Sequence, residues 1–182
     1  MGTIDYRVYY HLESYLFDTV HPRFHWKANR AKTHISRRLL ARNYPDVDAA
    51  VRALTVGIAE QPTARDRFRH LVREWGFHLP MASAILTVLY PDEFTVYDVR
   101  VCGSIDAFRR LGTITNIDRL WQGYTDYRIA VEAAAPQGMT LRDKDRYLWG
   151  QSFHAQLIQD VDRSFMQHAN EAAGRIGSLL DA

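Results

Sequence analysis

The chain has 182 residues, 47% hydrophobic and 24% charged, with a net charge of +2 and one cysteine. That length buries a core without covalent staples, and one cysteine excludes a disulfide framework, a four-cysteine zinc site and a four-cysteine iron–sulfur cluster. No apolar run reaches the roughly 20 residues of a membrane-spanning helix and the first residues lack the basic-then-apolar plan of a signal peptide, so the expectation is a cytoplasmic, monomeric domain over residues 1–182 that binds no membrane.

Helical periodicity runs through the sequence, and no segment reads as half of a strand pair. Residues 4–18 gather Tyr6, Tyr9, Tyr10, Leu12, Leu16 and Phe17 on a broad apolar face, ending at His21-Pro22. Residues 24–43 turn Ile35, Leu39 and Leu40 to one side. Between Thr19 and Pro45 stand seven basic residues (Arg23, Lys27, Arg30, Lys32, Arg37, Arg38, Arg42) and no acid. A one-sign segment makes a positive field suited to phosphate, although a solvated helix face has the same composition. Asp46 fits the cap of a helix carrying Val47, Val51, Leu54 and Ile58, and the break at Pro62-Thr63 separates it from a helix striped by Phe68, Leu71, Val72 and Trp75.

Gly76 to Pro80 is a tight connector, and Pro80 suits the first position of the next helix, where its missing N–H costs nothing. Met81, Ala84, Ile85, Val88 and Leu89 recur there at helical spacing until Pro91. Val101 to Leu111 is again amphipathic, with Gly112 as its C-cap. Helices are expected over 117–134 and from Thr140 to about Ala173, the last opened by a Thr140–Asp143 capping box. Eight or nine packed helices make the fold class all-α.

One carboxylate stands out. Asp98 follows an apolar helix and sits in the run Tyr97-Asp98-Val99-Arg100-Val101. Taken with the connector at Gly76, the pair Met81-Ala82 and the apolar run Ala84–Tyr90, this stretch resembles the helix-hairpin-helix DNA glycosylases, the superfamily of endonuclease III. Their pattern is a glycine-rich hairpin, a Thr-Ala pair opening the second helix, an apolar run and an aspartate in a Val-Asp-Thr-His-Val setting. The spacing from Met81 to Asp98 equals that of the family pattern, and the match covers residues 76–101, within a hairpin-and-aspartate segment of 63–112. The family's second hairpin glycine is His78 here. The lysine of its strand-cleaving members is Pro80, and the cysteine cluster is absent.

The resemblance implies a compact all-α glycosylase fold and a monofunctional enzyme without a cofactor. Such an enzyme flips a damaged or modified base out of double-stranded DNA and hydrolyses its N-glycosidic bond, leaving an abasic site, with Asp98 catalytic. Base excision repair is the family's general activity. Small members without the cluster also attack modified phage DNA, including glucosylated hydroxymethylcytosine, which adds antiviral defence to the expectations. Asp98 equally fits the N-cap of a helix starting at Val99, and the two roles are compatible.

For DNA binding the expected residues are Gly76, Phe77 and His78 of the hairpin with Lys27, Arg30 and Arg100; for the base pocket, Trp26, Tyr147 and Trp149. Each aromatic also has a plain core reading, and Arg100 also has a pairing reading, with Asp106 or Glu93. Asp143 and Asp145 are read as solvent-exposed acids at a helix start, with a second carboxylate for the site as the other role. His21 and His25 straddle Pro22 without an acidic companion, so no metal is expected. Two readings compete with the glycosylase. One is a non-catalytic helix-hairpin-helix DNA-binding module. The other is a HEPN-type ribonuclease, whose Arg-x4-His spacing is met by Arg65/His70 and again by Arg163/His168.

Overall fold

The structure is a computed structural model that describes residues 38–39 and 41–180, without the side chains of Val47 and of residues 167–180. The predicted helix over 4–18, most of that over 24–43, and with them Trp26, Lys27 and Arg30, lie outside the described residues. Every regular element among the described residues is helical, as the all-α expectation requires.

Local chemistry sets the boundaries. Helix α1 (Val47–Ala59) starts where the Asp46 carboxylate accepts the Ala49 N–H at 2.7 Å. Thr63 caps α2 (Ala64–Arg69) by accepting the Asp66 N–H at 3.1 Å. From His70 to Glu74 the chain widens into a π-helical turn, closed by the Trp75 N–H donating to the His70 carbonyl at 3.1 Å. Helix α3 (Leu79–Leu89) then begins one residue earlier than expected, with Pro80 still in its first turn.

Helix α4 covers only Val99–Ser104. The helix expected as far as Leu111 ends at Ser104. Asp106 and Phe108 take positive φ (47° and 65°), and a 3-10 turn, Leu111–Thr113, holds the glycine expected as a cap. That turn brings the Phe108 ring edge-on to Tyr127 at 5.7 Å and its carbonyl to the Tyr97 hydroxyl at 2.7 Å, contacts a continuous helix would forgo. Asn116 caps α5 (Ile117–Ala134) by accepting the Asp118 and Arg119 N–H groups. Helix α6 (Leu141–Leu180) runs past the expected end near Ala173. At its start the Thr140 hydroxyl accepts the Asp143 N–H at 3.2 Å.

The core is aromatic at its centre. Phe68, Phe94, Tyr124 and Tyr127 are fully buried, with Phe68 and Tyr124 stacked at 5.2 Å and Phe94 against Tyr124 at 6.2 Å. Such pairs add about 0.5–1.5 kcal/mol each beyond the area they bury. Around them close Leu54 and Ile58 of α1, Ile85 and Leu86 of α3, and Val101 of α4. Helix α6 joins through Leu141 and Leu148, and the Ser104 hydroxyl donates to the Leu148 carbonyl at 3.2 Å.

Helix α1 approaches the π turn closely at Gly57, where a Cβ would lie 2.5 Å from His70 Nε2. The imidazole has little room to retreat, because Nε2 accepts the Trp75 indole N–H at 3.0 Å. In Gly57→Ala, overpacking of about 1–3 kcal/mol opposes the roughly 1 kcal/mol gained in helix propensity. Urea denaturation of this variant is therefore expected to show a net loss of up to about 2 kcal/mol.

Candidate functional site

Asp98 is 7% exposed and caps α4, its Oδ1 accepting the Arg100 N–H at 2.8 Å. The carboxylate is thus both the cap and a buried charge. The segment before it, Phe94–Tyr97, is buried apart from a half-buried Val96 and belongs to no helix or ladder. Its backbone groups find side chains instead. The Tyr124 hydroxyl accepts the Thr95 N–H at 3.0 Å and donates to the Thr95 carbonyl at 2.7 Å. The Tyr127 hydroxyl donates to the Val96 carbonyl at 2.9 Å, and Ser83 Oγ accepts the Tyr97 N–H at 2.9 Å. Burial pushes both tyrosine hydroxyls well above the ordinary phenol range, with the Asp145 carboxylate raising Tyr127 further. Both remain protonated donors at any working pH.

Asp145, read from sequence as solvent-exposed, is 9% exposed. It shares the inner face of α6 with Leu141 and Leu148, at i, i+4 and i+7, and that spacing is the signal that marks it as buried. Asp143 stays on the surface, beside Arg146 at 3.5 Å. Tyr127 thus feels the Asp145 carboxylate while its hydroxyl bonds the backbone leading to Asp98.

At the hairpin, Gly76 has φ +67°, the left-handed conformation its sequence position anticipates. Phe77 is corrected as a DNA-facing residue: its ring is buried, and its N–H already donates to the Leu71 carbonyl at 3.0 Å. The Gly76 and His78 amides are left as the hairpin's candidates for a phosphate. Basic side chains crowd this corner. Arg38 Nη2 lies 3.3 Å from His78 Nε2, and the Arg42 guanidinium covers the Trp75 indole at 4.4 Å. Sequence reasoning marked both arginines as part of a basic run and did not bring them to the hairpin. Nothing in their spacing encodes that approach.

The other candidates take up core or surface positions. Arg100 pairs with neither Asp106 nor Glu93, which face Arg109 and Arg67, and its guanidinium lies 5.7 Å from the Phe153 ring. Trp149 is half-buried and stacked on Phe153 at 5.3 Å, and Tyr147 is half-buried with its hydroxyl accepting from Gln151. Beyond its own helix backbone and chain neighbours, no described residue lies within 4 Å of a Cβ built on Gly150, so that glycine answers no close approach there. The ribonuclease pair is not assembled. His70 is buried, with Nε2 on Trp75 and Nδ1 2.8 Å from a Glu74 carboxylate oxygen, while Arg65 points to Asp118 at 2.6 Å. Among the described residues no group of side chains is arranged to hold a metal ion.

Comparison of the chain with protein-family models, curated proteins and solved structures returns no match.

Cys102, one turn into α4, is buried, and burial pushes its thiol up, away from the thiolate a nucleophile needs. A thiol reagent at pH 8 is expected to label Cys102 more than about tenfold slower in the native protein than in denaturant, where the ordinary thiol value of about 8.5 returns. Absorbance-monitored labelling checks this.

Proposed function

We propose that the chain is a monofunctional DNA glycosylase of the helix-hairpin-helix type, with Asp98 as its catalytic carboxylate. The observation that carries the proposal is a buried aspartate at a helix N-cap, 17 residues after the Met81 that opens the post-hairpin helix, with a basic corner at the hairpin itself. A buried carboxylate is costly to desolvate, and a helix cap alone is met as well by an exposed one.

In this reading the Gly76 and His78 amides, with Arg38 and Arg42, hold the DNA backbone, a sequence-independent grip. The target base leaves the stack. As the C1′–N bond lengthens, its electron pair goes to the base, which takes up a proton, and positive charge develops on the sugar. The Asp98 carboxylate faces that charge in a setting where little water screens it. Water adds its oxygen to C1′ and gives up a proton, for which Asp98 is the acceptor. The products are the free base and an abasic site. With Pro80 where the strand-cleaving members carry lysine, no Schiff base forms from that position. The base removed belongs to the damaged or modified class, phage-type modified cytosines included.

Asn is as good an N-cap as Asp, so Asp98→Asn keeps an acceptor for the Arg100 N–H and removes only the charge. On duplexes carrying a panel of damaged and modified bases, scored by alkali cleavage and mass spectrometry of released base, this variant is expected to lose at least about 10²-fold in rate with DNA affinity retained. Base release that survives Asp98→Asn would sink the assignment, and binding without release from any duplex would leave a DNA-binding module.

Arg38→Ala and Arg42→Ala are expected to weaken binding to all sequences alike. Each should flatten the slope of log K against log salt by about 0.9, one phosphate contact's worth, as read by fluorescence anisotropy across a salt series.

A further inference from the structure

Four backbone groups immediately before Asp98 are held by side chains from two helices: the Thr95 N–H and carbonyl by Tyr124, the Val96 carbonyl by Tyr127, and the Tyr97 N–H by Ser83. The two tyrosines stand three residues apart on the buried face of α5, with ring centroids 6.3 Å apart, and their hydroxyls reach consecutive residues of one non-helical segment. A third tyrosine braces the segment further on, the Tyr97 hydroxyl donating to the Phe108 carbonyl at 2.7 Å. Buried backbone polar groups require partners, but solvent-accessible loops get them from water without fixing anything. Here rigid ring systems at the centre of the core supply them.

We propose that Tyr124 and Tyr127 are positioning residues for Asp98. Their hydroxyls set the path of Thr95 and Val96, and through it the depth and direction at which the Asp98 carboxylate enters the site. The inference rests on the glycosylase reading for the use made of Asp98, but not for the positioning itself. Each ring fills the core whatever its substituent, whereas the hydroxyls bond backbone at and just before Asp98. Losing the hydroxyl therefore separates packing from placement. Misplacement of a reacting group by about 1 Å costs on the order of 10²-fold in rate, so small movements of this segment are enough to matter.

The test uses Tyr124→Phe and Tyr127→Phe in the full chain, with Ser83→Ala as a variant that releases the same segment from α3. Thermal melting first establishes that a variant is folded. Two placement readouts follow, neither requiring activity: the carboxyl ¹³C titration of Asp98 and the Arg100 amide resonance that reports its cap. The third readout is single-turnover base release alongside DNA affinity.

The expected result is a folded variant with a displaced Asp98 titration and Arg100 amide, base release slowed about 10- to 100-fold, and DNA affinity within twofold. Unchanged Asp98 and Arg100 signals in every folded variant would overturn the proposal. So would base release at the wild-type rate. If the wild type releases no base from any duplex while the Asp98 and Arg100 signals move as expected, the catalytic reading fails and the positioning stands.

Discussion

The fold is organised by a need to satisfy irregular backbone in the interior. Residues 94–97 lie buried outside any helix, with no strand among the described residues, and peptide groups left unpartnered there would cost about 1–3 kcal/mol each. Aromatic side chains answer that need and fill volume in the same act, since a tyrosine carries a large ring and a hydroxyl at its tip. Phe68, Phe94, Tyr124 and Tyr127 therefore form one cluster in which packing and hydrogen bonding are not separable duties. The helices around it are oriented by what this cluster must reach.

Two regions of the fold carry chemical potential. The Asp98 cap follows the buried segment 94–97, and the basic corner lies where α2 gives way through the π turn to α3. The π turn places Trp75 so that His70 accepts its indole N–H and Arg42 covers its face. Both ring nitrogens of His70 are thereby committed to structure. Asp98 keeps its carboxylate at the N-terminus of a short helix, where the backbone itself favours negative charge.

What was legible in the sequence follows from how far each interaction reaches along the chain. Caps are local, so Asp46, Thr63, Asn116 and Thr140 mark helix starts within a few residues. Gly76 declares its positive φ by being glycine after a helix. Asp98 combined a local signal, the cap, with a spacing pattern, and both were readable. The break after Ser104 was not, because its reason lies in Phe108 meeting Tyr127, on a different helix. The burial of Phe77 is not legible for a similar cause: whether a hairpin side chain points inward depends on the core behind it. Asp145 lay between these cases. Its place on the Leu141–Leu148 face was visible in the spacing, and the habit of putting acids at helix starts on the surface obscured it.

The contacts that hold the approach to Asp98 join residues far apart in sequence, 29 positions for Thr95 with Tyr124 and 31 for Val96 with Tyr127. Helices α3 and α5 form from local interactions, but these bonds can close only after both helices have docked and the intervening chain has surrendered its loop entropy. The geometry around Asp98 is therefore a late product of folding. A partly folded chain with most of its helix content already in place would still lack an ordered Asp98, so the charge is delivered to the interior only when the core is ready to receive it.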